Sequence, residues 1–185
     1  MTNPTPYRRA FLWSAAVALT ATVASAQPAA AVDPAAPVMP RVRSNSPAIA
    51  TLIELARERS ATFRALVATI DGTDGIVYVD EGKCGHSVRA CFMLSVQVAG
   101  PHRVLRILVD TNRDRDGVMG AIGHELRHAI EVLSNPKMNS GVAVVNFYLR
   151  EGATGSERFE TLDAVHAGLS VYAEVVAARR RAGTR

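Results

Sequence analysis

The five residues His124-Glu125-Leu126-Arg127-His128 fall inside an apolar repeat of Val118, Ile122, Leu126, Ala129, Ile130 and Leu133. The three- and four-residue spacing of that repeat is that of an amphipathic helix. Residues four apart stand one turn apart on the same face, so both imidazoles can reach a single ion. Glu125 is turned about 100° from His124 and flanks such an ion without needing to bind it. The fold must therefore bury Leu126, Ala129 and Ile130 against a core while leaving the histidines reachable from another side. A polar loop over residues 110–117 precedes the helix, with Asp116 near its positive end, and Ser134-Asn135-Pro136 stops it.

The other elements follow from the same kind of reading. Ser46 before Pro47 predicts a helix start, with the serine as cap and the proline at the first helical position. Ile49, Leu52, Ile53, Ala56, Phe63, Leu66, Val67 and Ile70 then predict one continuous helix, ending at the Gly-rich turn of residues 71–75. Residues 76–79, 91–98 and 104–109 predict three antiparallel strands, the last two joined by a turn at Gly100-Pro101. Residues 142–149 predict a short helix capped by Ser140. A final helix is predicted over residues 156–180, with Leu162, Val165, Leu169, Tyr172 and Val176 along one face and Arg179, Arg180 and Arg181 at its negative end. This order predicts an α+β domain over residues 47–185, large enough for one core.

Residues 1–26 have the layout of an export signal: Arg8 and Arg9, an apolar stretch over residues 11–23, and the small-residue run Ala24-Ser25-Ala26. The pair of arginines fits the twin-arginine route as well as general secretion. The apolar stretch is too short for a stable membrane span, so no stable membrane insertion is expected after signal removal. Residues 27–46 are Ala/Pro-rich and predict a linker. The chain carries 21 Lys+Arg against 17 Asp+Glu, a formal charge of +4, and the signal accounts for half of that excess. No basic run interleaved with aromatics is present, which argues against a nucleic-acid partner. Two cysteines exclude a disulfide-dense scaffold and a four-thiolate metal site. In an exported chain Cys84 and Cys91 are expected to be bridged. A metal site of Cys84, His86 and Cys91 would lack a fourth ligand.

Zinc (Zn2+) suits two neutral imidazoles, and a catalytic zinc site takes three protein ligands with one position left for water. On such an ion water loses its proton more easily, and Glu125 stands where it can accept it. A third histidine six residues after the second would stand at position 134, which is Ser134. Glu131 lies on the same face but about 10.5 Å along the axis from His124, too far to share one ion without strain, and is expected to support or ion-pair with a ligand. The final helix offers Glu157, Glu160, Asp163 and His166 near its start. Glu160 borders a stripe of small residues, Ala164, Ala167, Gly168 and Val171, which lets two helices approach closely, and it is favoured over Glu157 as third ligand on that ground. Asp163 could orient a ligand histidine through its other ring nitrogen. Asn112, Asp114, Asp116 and Gly117 imitate the start of a calcium loop, but the twelfth position is Gly123, where a glutamate is needed. His102, in a turn, is expected to face solvent.

His124-Glu125-Leu126-Arg127-His128 followed by Glu160-Thr161-Leu162-Asp163-Ala164 resembles a gluzincin-type zinc metallopeptidase. The order of elements resembles the minimal single-domain gluzincins. The resemblance implies a zincin-like fold: a small antiparallel sheet, an N-terminal helix, the active-site helix and a C-terminal glutamate helix. It implies His124, His128 and Glu160 as zinc ligands and Glu125 as general base, with a Tyr or His such as Tyr148 or His166 holding the oxyanion. The family's Asp often stands four residues after its ligand glutamate, whereas Asp163 is three after Glu160. The expected partner is a peptide or protein substrate, extended along a strand edge, and the expected location is the periplasm or exterior. Two other functions use the same residues: a non-catalytic zinc-binding or sensing protein, and a zinc hydrolase of a non-peptide amide or ester.

Overall fold

A computed structural model describes residues 39–85, 88–151 and 160–184. The N-terminal leader and Glu157 lie outside the described residues. In chain order the elements are β1 (Val42–Arg43), α1 (Pro47–Arg59), α2 (Ala61–Asp71), β2 (Gly75–Glu81), β3 (Ala90–Phe92), β4 (Gln97–Ala99), β5 (His102–Val109), α3 (Arg115–Leu133), α4 (Gly141–Glu151) and α5 (Leu162–Gly183). The protein is α+β: among the described residues, five helices and one small mixed sheet. β1 lies in the stretch predicted as linker, where Val42 pairs with Val77 and is buried.

The predicted all-antiparallel sheet is corrected. Its order is β1-β2-β5-β3, with β4 also on β5, and both β1/β2 and β2/β5 run parallel. Only β3 and β4 are antiparallel to β5. The turn at Gly100-Pro101 does make a hairpin, and Gly100 supplies the positive φ of 58° that it needs. The stretch leaving β2, however, carries the chain past the place that β5 later takes, so β5 returns between β2 and β3. The single strand expected over residues 91–98 is two short pieces, β3 and β4. On β5, Arg103, Leu105, Ile107 and Val109 alternate inward, as Val77 and Val79 do on β2. On the opposite face the Arg43 and Arg106 guanidiniums lie over the Tyr78 ring.

The first predicted helix is two. Ser60 breaks it in an extended conformation (φ −124°, ψ 121°) and caps α2 by accepting from the Phe63 N–H at 2.9 Å. The Ser60 hydroxyl donates to Glu174 of α5 at 2.6 Å, and Glu174 also accepts from the Thr62 N–H and hydroxyl. Burial alone would raise the pKa of Glu174, but these hydrogen bonds outweigh it and hold the group below the usual carboxylate range. Ser46 caps α1 as expected, with Pro47 at its first position.

Arg103 shapes the other end of the core. Only 5 % exposed, it donates to the carbonyls of Val132, Leu133, Asn135 and Met138 at 2.7–3.2 Å and to both carboxylate oxygens of Asp74. It thereby gives a donor to carbonyls at and just past the end of α3, of which those of Val132 and Asn135 also accept from a backbone N–H. Next to it His102, expected in solvent, is half-buried, and its Nδ1 lies 3.2 Å from the Asp74 carbonyl.

Cys84 and Cys91 form a disulfide, with Cα atoms 5.7 Å apart. It ties the segment leaving β2 to β3. Replacing both cysteines with serine is expected to cost about 2.5 kcal/mol, the chain entropy released by so short a loop. The urea midpoint of the variant checks this, and reduced wild-type protein should match the variant.

Candidate metal centre

α3 is a 19-residue helix whose Asp114 cap accepts from the Gly117 N–H at 2.6 Å. This bond lowers the pKa of Asp114. Asp116 in the first turn is paired with Arg179 at 2.7 Å. One face of α3 lies on the sheet and another on α5. The contact with α5 is made by glycines: a Cβ on Gly168 would come within 2.9 Å of the His124 Cβ, and one on Gly123 within 2.7 Å of Val171. The small-residue stripe expected on the last helix is therefore its packing face, with Ala164, Val171 and Val175 buried.

The large-residue face proposed for that helix is corrected. Leu162, Leu169 and Tyr172 are exposed, at 76 %, 62 % and 46 %. The start of the helix is corrected too. Thr161 is the cap, accepting from the Ala164 N–H at 3.2 Å, so α5 begins at Leu162 and Glu160 stands just ahead of it.

Glu160 nevertheless reaches both histidines. Its Oε1 lies 3.3 Å from His124 Nε2 and 3.5 Å from His128 Nε2, and one donor atom from each of the three residues falls within 4.8 Å of the others. Ligands set tetrahedrally around zinc at about 2.1 Å stand about 3.4 Å apart. Two imidazole nitrogens and a carboxylate oxygen at these separations fit such an ion, and the group could hold a metal ion. Among the described residues no other group of three His, Cys, Asp or Glu side chains has this geometry.

The surroundings orient these side chains. His128, 4 % exposed, has its Nδ1 at 3.0 Å from Glu131 Oε2, and the Tyr148 hydroxyl lies 3.2 Å from the same nitrogen and 3.1 Å from Glu131 Oε2. The Thr161 hydroxyl donates to Glu131 Oε1 at 2.7 Å, and the Thr161 N–H donates to Glu160 Oε1 at 3.0 Å. Glu131 thus holds the His128 ring.

Asp163 does not orient a histidine; it is paired with Arg127. Tyr148 is buried against His128 and Glu131, and His166 is exposed on α5.

Electrostatics follow from burial. It lowers the pKa of His124 and pushes the Glu125 carboxyl, only 7 % exposed, up to about 7. Burial would lower His128 as well, but the Glu131 hydrogen bond and the nearby carboxylates outweigh it and raise the group. The same hydrogen bond from His128, with that from Thr161, outweighs the burial of Glu131 and lowers it. Glu125 also accepts from the Phe92 N–H of β3. Beside the centre lies a cavity of about 690 Å³, lined by His124, Glu125 and Glu160 with Ala121, Val165 and Leu169 among its apolar walls.

Thr161 and Arg127 escaped the sequence reading. Thr161 ahead of Leu162-Asp163-Ala164 is itself a cap signal, with an acid in the first turn, and marks the true helix start. Comparison with protein-family models, with curated proteins and with solved structures found no match.

Proposed function

We propose that the chain is an exported, zinc-dependent metallopeptidase with a zincin-like fold of the gluzincin type. The observation that carries this reading is the convergence of His124, His128 and Glu160 on one point, with the Glu125 carboxylate beside it. His124 and His128 would hold the ion through Nε2 and Glu160 through Oε1. When bound, zinc supplies Lewis acidity, polarising the scissile carbonyl and making water a better nucleophile at neutral pH. Glu125 accepts the proton of the attacking water at its carboxylate and passes it to the departing amine nitrogen. Glu131 and Tyr148 hold the His128 ring while this happens.

β3 supports a mode of substrate binding. It pairs with β5 on one side, and no strand covers its other side among the described residues. Phe92 of this strand meets Glu125 through its N–H. An extended peptide added to that edge would run past the general base. Export is supported by the leader-like first 26 residues and by the disulfide, which persists in oxidising compartments. Among the described residues no helix is long and apolar enough to cross a membrane.

Purified protein is expected to carry about one zinc per chain and to cleave denatured casein. Stripping the metal with a chelator is expected to abolish cleavage, and added zinc to restore it. Zinc bound without cleavage of casein, but with turnover of ester or simple amide substrates, would change the substrate class. Zinc bound with no turnover would leave a binding protein, and no zinc would end the reading.

A further inference from the structure

The Glu131 carboxylate is shared between two segments of the chain. Its Oε2 takes the His128 Nδ1 contact at 3.0 Å and the Tyr148 hydroxyl at 3.1 Å, both from the side of the motif helix and α4. Its Oε1 takes the Thr161 hydroxyl at 2.7 Å, from the segment that carries Glu160. Thr161 has two tasks. Its oxygen accepts from the Ala164 N–H to cap α5, which leaves the hydroxyl proton for another acceptor, and that proton goes to Glu131. Its backbone N–H meanwhile holds Glu160 Oε1, the oxygen that faces both histidines. The contacts close a circuit: His128 to Glu131, Glu131 to Thr161, Thr161 to Glu160, and Glu160 back to His128. An ordinary helix cap facing water needs no such tie.

We infer that Glu131 is a positioning residue that registers the two ligand-bearing segments against each other, fixing the His128 ring directly and Glu160 through the Thr161 hydroxyl. The inference rests on the metal-centre reading above. A donor held at His128 Nδ1 leaves Nε2 with its lone pair toward Glu160, the form that binds a metal. The Thr161 bond sets where the third donor stands, 32 residues after His128 along the chain. The Tyr148 hydroxyl donates to the shared carboxylate, whose side chain is 10 % exposed. Arg127, paired with Asp163 and 3.8 Å from Glu131 Oε1, clamps the same two segments from the outside.

The test is a double-mutant cycle on zinc affinity, measured by chelator competition on the full chain, with the visible absorption of the cobalt-substituted protein as a second readout. Thr161→Val is expected to weaken zinc binding about tenfold and to shift the cobalt bands. In a Glu131→Leu background, itself weakened, the same change is expected to add less than about twofold. Thr161→Ser, which keeps both donor and acceptor, is expected to restore wild-type affinity. Loss of the α5 cap would lower thermal stability equally in both backgrounds, which separates it from the metal effect. Equal affinity losses in both backgrounds, or no loss in Thr161→Val, would overturn the inference. Zinc binding with this coupling but without peptide cleavage would uphold it while removing the peptidase reading.

Discussion

Glu125→Gln is expected to reduce casein cleavage by about a thousandfold with zinc content unchanged. The glutamine has the same shape and keeps an oxygen for the Phe92 N–H, so the local packing survives. It removes the one thing the proposed reaction needs from this side chain, a basic oxygen. Glu125 is not among the three donors that converge, so the ion should remain. The folded protein should lose no stability, because the burial that pushes Glu125 up to about 7 already disfavours its charge. Metal analysis, thermal melting and cleavage on the same preparation check all three statements. Undiminished cleavage in the variant would sink Glu125 as the base.

The largest effect on stability is expected at Arg103, at the C-terminal end of α3. Arg103→Ala is expected to cost about 3–5 kcal/mol, read from the urea midpoint. The cost arises mainly from the buried carbonyls of Leu133 and Met138, which lose this donor, whereas those of Val132 and Asn135 keep a backbone N–H. Asp74 contributes less, because its side chain is 43 % exposed and can be hydrated. Arg103→Lys should recover under half of the loss, since one ammonium cannot span four carbonyls and a carboxylate. The pair also predicts a pH signature. The hydrogen bond from Arg103 lowers the Asp74 carboxyl below 3.8. Its stabilisation is therefore complete above the unfolded value and is lost as pH falls through the lower folded one. Wild type should lose this increment in strong acid, and Arg103→Ala should lose a smaller one. A midpoint shift below about 1 kcal/mol would mean that water replaces the guanidinium.

The candidate metal centre is more legible in the sequence than the sheet is. His124, Glu125 and His128 follow from helix geometry alone, because 3.6 residues per turn fixes what shares a face. Glu160 was found by its neighbourhood of small residues, which do form the α3 contact. It does not lie within the final helix, where the sequence predicts it: Thr161 is the cap, so Glu160 stands just ahead of that helix. The continuous apolar repeat from Ile49 to Ile70 hid the break at Ser60, because what ends α1 there is a buried serine bonded to Glu174 of α5. On α5, apolarity pointed to Leu162, Leu169 and Tyr172, yet close approach to α3 demands Ala164, Gly168 and Val171. Strand direction was hidden for a related reason. Alternation shows which residues face inward and is silent on which strand lies next to which. The partners of Arg103 lie about 30 residues away along the chain, beyond any local pattern.

β5 pairs with β2 on one side and with β3 and β4 on the other, and this bears on the order in which the chain can assemble. The β4–β5 hairpin closes only the two-residue turn between Ala99 and His102, whereas the Ile76–Val104 pairing closes a loop of roughly 28 residues. Loop-closure entropy makes the second contact about 2 kcal/mol harder to reach from the open chain. The hairpin can therefore stand as a template before β2 arrives, and β1, whose strand pairing is with β2 alone, joins the sheet through β2. The strand that ends just ahead of the motif helix is thus also the one on which the sheet is built.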